Sequence, residues 1–210
     1  MDNIVELETI PNNRIDTSDA TAMAEHILSG YTAYARGEKI IGTYSVPTYP
    51  DAPNIPSNIG ESFNWIGYSW MLVHVINNSK YICTKDIIET HKWNTSNYTN
   101  GGYERSFIRE RCKEIETENN LKDCPYVREF PALGKLWLAT YQYIFETFSY
   151  FRDSSNNRIA KFEGSPYFWW LSTVGSDTGA YYVGKTGGYY SNGQAGGELG
   201  LRLFACIEII

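Results

Sequence analysis

The chain has 210 residues, 42% hydrophobic and 20% charged, enough apolar mass for one sizeable domain with a small appendage, and this excludes global disorder. Its net charge of −6 comes without a basic cluster, so nucleic acid, which needs its phosphates neutralised by Lys and Arg, is a poor partner. No apolar run is long enough to span a bilayer, and the acidic opening "MDNIVELETI" lacks the basic-then-apolar layout of a signal peptide, so synthesis in the cytoplasm outside the general secretory route is expected.

Residues 1–16 alternate briefly without apolar mass of their own. "SDATAMAEHILSG" reads as a short helix, with Ser18 as N-cap, Met23, Ile27 and Leu28 on one face, and Gly30 as its end. "YTAYARGEKIIGTY" reads as a hairpin turning at Gly37-Glu38. A helix and one hairpin cannot bury their own apolar face, so this part, residues 1–45, must pack on something else. "SVPTYPDAPNIPSNIGES" holds four prolines in a small polar stretch and reads as a semi-extended linker over 46–62.

Residues 63–210 read as one α+β domain, because strands and helices come in runs and do not alternate regularly. "YSWMLVHVINNSKYICTKDII" predicts a hairpin turning near Asn77-Asn78. "ERSFIRERCKEIETEN" predicts a helix with Phe107, Ile108, Arg111, Cys112 and Ile115 inward, and with Glu114, Glu116 and Glu118 on a solvated face. "GKLWLATYQYIFETFSYF" predicts a strand and then a helix capped by Thr140, with Tyr141, Ile144, Phe145 and Phe148 inward. The closing stretch predicts two or three strands, with "LRLFACIEI" central.

Cysteines 83, 112, 124 and 206 contain no C-x-x-C and read as buried free thiols. His26, His74 and His91 lie in different segments, and His74 reads as a structural residue of a strand. There is no G-x-S-x-G and no H-E-x-x-H. "GKTGG" at 184–188 lacks both the upstream glycine and the following helix of a phosphate loop. The expectation is a protein that is not an enzyme, with no cofactor and no metal. Seventeen tyrosines leave two readings open, since tyrosine is common both in binding surfaces and in β-rich proteins.

Two stretches carry resemblances. "DATAMAEHILSGYTAYARGEKIIGT", with its Ala-Thr-Ala, Ile-Leu-Ser-Gly, Thr-Ala-Tyr, Gly-x-Lys and Gly-Thr pattern, resembles a short module recurring in bacteriophage tail and fibre proteins. Residues 63–210 are similar to a domain family of unassigned function from Gram-positive bacteria and their phages. The matching residues are Trp70 to Val73, "GGYERSFIRERC", "WWLST", "YYVGKTG" and "GLRLFACIEI". Ser172-Thr173 and Leu203 depart from that family's Arg-Ser and Pro. Its closing pattern in turn resembles the C-type-lectin-like fold, in which the first and last strands pair and late irregular loops present the binding face.

The resemblances imply a virion protein of tail-fibre or head-fibre type. It would attach to other virion proteins through residues 1–45, associate as a homotrimer, and display a C-type-lectin-like domain as an adhesin for host attachment. Its receptor-binding surface, for a host glycan or protein, would be Tyr181, Tyr182, Tyr189, Tyr190, Ser191, Asn192 and Gln194, with Tyr182 and Tyr190 more exposed than their neighbours. Trp169 and Trp170 would anchor that stretch to the core. The lectin calcium triplets Glu-Pro-Asn and Trp-Asn-Asp are absent, so calcium-dependent sugar binding does not carry over. The alternative is a purely structural virion or decoration protein.

Overall fold

The computed structural model describes residues 21–45 and 48–208. The chain divides into two compact units, Met1–Thr48 and Tyr49–Ile210.

The described residues of the first unit form a 3-10 turn, Ala24–His26, where the sequence reads a short helix, and a hairpin of β1 (Thr32–Ala35) and β2 (Glu38–Ile41). The expected Ser18 cap and the alternating residues 1–16 lie outside the described residues. The turn falls at Arg36-Gly37, one residue before the expected Gly37-Glu38. A two-residue hairpin turn needs left-handed backbone at both central positions, and Arg36 (φ 54°) and Gly37 (φ 81°) supply it. Gly42 is required by close approach: a Cβ there would sit 2.4 Å from the carbonyl oxygens of Ile27 and Leu28, which run beside it. Among the described residues of this unit only Ala35 and Gly42 are buried, while Met23, Leu28, Tyr31, Tyr34, Ile41 and Tyr44 are exposed.

In the second unit, residues 49–61 lie along the domain although the sequence reads them as linker. Trp65 Nε1 donates to Asp51 O (3.1 Å), Lys80 Nζ donates to Ile55 O (3.2 Å), and the Tyr126 hydroxyl donates to Pro50 O. Proline keeps such a segment extended, so its carbonyls stay available to side chains of the sheet.

A four-stranded antiparallel sheet follows from β3 (Ser62–Trp65), β4 (Tyr68–Ile76), β5 (Ser79–Thr84) and the last strand of the chain, in the order last-β5-β4-β3. Asn77 (φ 51°) and Asn78 form the β4–β5 turn, as the sequence indicates. Next come β6 (Glu89–Lys92) and α1 (Phe107–Glu118). Ser106 caps α1, its hydroxyl accepting from Arg109 N at 3.2 Å.

The buried face of α1 is Ile108, Arg109, Cys112 and Ile115; Phe107 is exposed and Arg111 is solvent-side. Three expectations are thereby corrected, for Phe107, Arg111 and Glu116. Arg109 is the inward arginine, and Glu116 is not on a solvated face, because it follows Arg109 inward and pairs with it at 3.0 Å. Apolar periodicity cannot register a buried ion pair.

Residues 135–138 form no strand, only an isolated bridge at Trp137, because their neighbours there are side chains and a single strand edge. Thr140 Oγ1 does cap the next turn, accepting from Tyr143 N. That turn is a π-helix, Tyr143–Thr147, followed by α2 (Ser149–Arg152) and α3 (Ser155–Arg158). Ile144 and Phe148 are buried, whereas Tyr141 and Phe145 are half-buried.

A two-stranded ribbon, β7 (Ala160–Phe162) and β8 (Ser165–Tyr167), leads to β9 (Trp169–Val174), β10 (Gly179–Val183), β11 (Tyr189–Gln194), β12 (Glu198–Leu201) and β13 (Phe204–Glu208). The second main sheet has the order β11-β10-β9-β12-β6.

β13, expected to be central, is an edge strand of the four-stranded sheet. Its outer side is covered by bridges to Val127 and Trp137, which explains its burial. β3 and β13 sit at opposite edges of that sheet and do not pair, unlike the first and last strands expected from the lectin resemblance. The architecture is mixed helix and sheet, mostly strand, compatible with the α+β class.

The core is aromatic. Trp70, Trp93, Trp137, Trp169, Trp170, Phe148, Phe151 and Phe204 are fully buried, with Trp137 and Trp169 both stacked on Phe204. Arg202 is buried among them, with no carboxylate of the described residues paired to it. Its guanidinium lies 5.0 Å from the Trp169 ring and donates to the carbonyls of Thr84 and Lys85. His74 stacks on Phe148 at 5.1 Å, and burial, with Arg152 adding to it, lowers its pKa, consistent with a structural role.

Candidate functional site

All seven expected ligand-facing residues lie on one feature, the β10–β11 hairpin, with β11 as the free edge of its sheet. The stretch is paired strand, with a register shift between Ala180 and Tyr182, and not a display loop: β10 pairs with β9 on one side and β11 on the other, which organises its backbone. Ser191, Asn192 and Gln194 are exposed.

The four tyrosines divide between two faces, as alternation along a strand requires. Register places Trp170, Tyr182 and Tyr190 side by side across β9, β10 and β11, and Trp169, Val183 and Tyr189 across the opposite face. The Tyr182 and Tyr190 rings stack at 5.1 Å, 14° from parallel. Tyr182 meets Trp170 and Phe168 edge-on.

On the other face, Tyr189 meets Tyr141 (4.7 Å), Phe145 (5.1 Å) and Tyr181 (6.0 Å). Arg158 lies over Phe145 at 4.6 Å and donates to Gly187 O. Exposure does not follow the expectation for Tyr182 and Tyr190. Tyr189 and Tyr190 are 48% and 47% exposed, while Tyr181 and Tyr182 are both half-buried. The reason is strand position: β11 is the edge, so both of its tyrosines lack a neighbour on one side, whatever face they take.

Glycine explains how the Tyr182–Tyr190 rings lie. A Cβ on Gly184 would be 2.7 Å from Tyr190 Cε2, and a Cβ on Gly193 would be 2.7 Å from both Tyr182 Cδ1 and Trp170 Cζ3. Each ring therefore meets, by one edge, backbone that carries no side chain. The density of glycine and tyrosine in this stretch is one device, in which glycine makes the bed and tyrosine the surface.

Residues that the sequence reading did not assign to the site are Phe168, Tyr167 and Lys185 on the Tyr190 face and Tyr141, Phe145 and Arg158 on the Tyr189 face. Only the hairpin register brings them there. Lys185 Nζ lies 5.1 Å from the Phe168 ring and 5.7 Å from that of Tyr167. Burial, and then Tyr190, raise the Tyr182 pKa, while burial followed by a hydrogen bond with Tyr189 raises that of Tyr141. Both phenols thus stay protonated, as donors, well above neutral pH.

All four cysteines are buried free thiols. Burial pushes the Cys83 thiol up to about 11 and that of Cys112 up to about 12, and it raises the Tyr103 hydroxyl well above its usual value. A group whose folded pKa is raised contributes stability below its unfolded pKa and loses it as pH climbs through the folded value. The unfolding midpoint in urea is accordingly expected to fall between about pH 9 and pH 12, and native protein below pH 9 should resist a thiol reagent that labels all four cysteines once unfolded. A midpoint unchanged to pH 12 would contradict these assignments.

Among the described residues no group of three or more His, Cys, Asp or Glu is arranged to hold a metal ion. An open groove of about 400 Å³ is lined by Pro53, Ile55, Lys80, Tyr126, Ile207 and Glu208; its lysine already donates to Ile55 O and its glutamate pairs with Arg128 at 3.6 Å. No family model, curated protein or solved structure matches the chain.

Proposed function

We propose that the protein is a bacteriophage virion component of fibre type, which attaches through residues 1–45, associates as a homotrimer and binds the host surface with the β10–β11 hairpin of a lectin-like domain. The observation that carries this reading is the pair of half-exposed tyrosines, Tyr189 and Tyr190, on a free sheet edge with polar Ser191, Asn192 and Gln194 beside them. Rigid rings with a polar tip supply contact area at low entropic cost, and short polar side chains supply adaptable hydrogen bonds. The exposed apolar side chains of the first unit, above all Tyr31, Tyr34 and Ile41, support the attachment role, since a hairpin without a core of its own gains by burying them against a partner.

The test uses full-length labelled protein and a panel of Gram-positive cells. Wild type should be retained on host cells, and Tyr189→Ala with Tyr190→Ala should lower retention at least about tenfold at an almost unchanged melting temperature. Light scattering of the same material should give a trimer. Retention equal to wild type in the double variant would leave the hairpin without a role in binding and favour the structural-component reading.

A further inference from the structure

We propose that the ligand of this hairpin is a short acidic saccharide, bound along the Tyr182–Tyr190 face with a sugar ring stacked on Tyr190 and its carboxylate or phosphate taken by Lys185. The inference rests on the host-binding reading of the same hairpin and narrows it to one face and one ligand chemistry.

Ring posture is the first argument. Tyr190 comes by its Cε2 edge against the bare backbone of Gly184 and overlaps Tyr182 on one face, so its other face, on the free edge strand, is open to a ligand. The open face of Tyr190 offers its π-system, and a pyranose offers a matching patch of axial C–H groups on a face free of axial hydroxyls. The negative quadrupole of the ring face favours those polarised C–H groups. Ser191, Asn192 and Gln194 are exposed along the same edge strand and are suited to the sugar's equatorial hydroxyls.

Size is the second. A protein partner needs roughly 800 Å² from each side, about 20–30 residues, with an apolar centre. Here a few rings are bordered closely by polar residues, which matches a few sugar units.

Charge is the third. The aromatic series continues from Tyr190 through Tyr182 to Phe168, 5.8 Å from Tyr182, and ends under the exposed ammonium of Lys185. Lys185 makes ring contacts but no ion pair with the described residues. On a chain of net charge −6, a solvent-facing cation at the end of an aromatic stripe is the complement of an anionic group.

Calorimetry and proton NMR of the full chain should be run with three probes: trigalacturonic acid, a phosphorylated mannose disaccharide, and neutral maltotriose. At least one acidic probe should bind and shift the Tyr182 and Tyr190 ring resonances, and the neutral one should bind more weakly; which acidic probe binds distinguishes a uronate from a sugar phosphate. Tyr190→Ala should weaken binding at least about tenfold. Lys185→Gln should weaken it about threefold and remove its salt dependence. Tyr189→Ala, on the opposite face, should change it less than about twofold.

Gly184→Ala keeps every ring but lifts Tyr190, and it should weaken binding while leaving the fold intact, because the atom it displaces is the end of a mobile side chain. Absence of binding by both acidic probes, equal affinity for the neutral one, or a larger effect of Tyr189→Ala than of Tyr190→Ala would overturn the proposal. Host-cell retention without saccharide binding would overturn this inference alone, and saccharide binding without host-cell retention would overturn the host reading alone.

Discussion

Replacing Glu116 with alanine is expected to lower the free energy of unfolding by about 3–5 kcal/mol, the cost of leaving one member of a buried ion pair behind. Its Oε1 accepts from Arg109 Nη1 (3.0 Å), Lys135 N (3.2 Å) and Leu136 N (3.0 Å), so three donors converge on one oxygen. Arg109 is buried, and among the described residues its guanidinium keeps the Leu136 carbonyl alone once the carboxylate is gone. The two amides of 135 and 136 would be orphaned in the same step, at about 1–3 kcal/mol for each buried group left unpaired.

Gly134→Ala should fail for the same reason from the other side. Its Cβ would fall on Arg109 Nη2 and lie 2.7 Å from Glu116 Oε1, at a backbone φ of +83°. Glu110→Ala, which breaks an exposed pair with Lys113, is the control and should cost under about 0.5 kcal/mol. Urea titration of the three variants measures this directly. A loss at Glu116 no larger than that at Glu110 would mean that the pair is solvated after all.

Trp170→Ala should cost about 3–5 kcal/mol, the usual penalty for removing a large buried ring. The indole is fully buried, donates from Nε1 to His91 O at 2.8 Å, and sits edge-on beneath Tyr182 at 6.2 Å. Truncation also unseats Tyr182, so ligand affinity of the folded fraction should drop, whereas Val174→Ala at the exposed end of β9 should change neither quantity by more than about 0.5 kcal/mol. Denaturation followed by near-ultraviolet circular dichroism separates the two effects. Unchanged stability would show that Trp170 is not part of the core.

Several local features were legible in the residues alone because they are set by backbone chemistry within a few positions. Asn77-Asn78 turns the β4–β5 hairpin because asparagine tolerates left-handed backbone, and Thr140 caps the turn that follows it because a short hydroxyl reaches the free amides. The pairing of glycine with tyrosine in the last fifty residues was visible as composition, whereas the core position of Trp169 and Trp170 was implied by the lectin resemblance.

What tertiary structure alone decided depends on partners far away in the chain. Glu116 and Arg109 look like ordinary helix charges until the 134–136 segment closes over them. The 49–61 stretch reads as linker until Trp65 and Lys80 take its carbonyls. Whether β13 lies at the centre or the edge of its sheet is a matter of which strands pair, and its apolar sequence serves either place. The hairpin tyrosines show the division most clearly. Alternation determines that Tyr189 and Tyr190 take opposite faces. Only the register with β9 determines that one face is backed by Trp170 and flanked by Lys185, and the other by Tyr141 and Phe145, because a face acquires its chemistry from neighbouring strands and not from its own sequence.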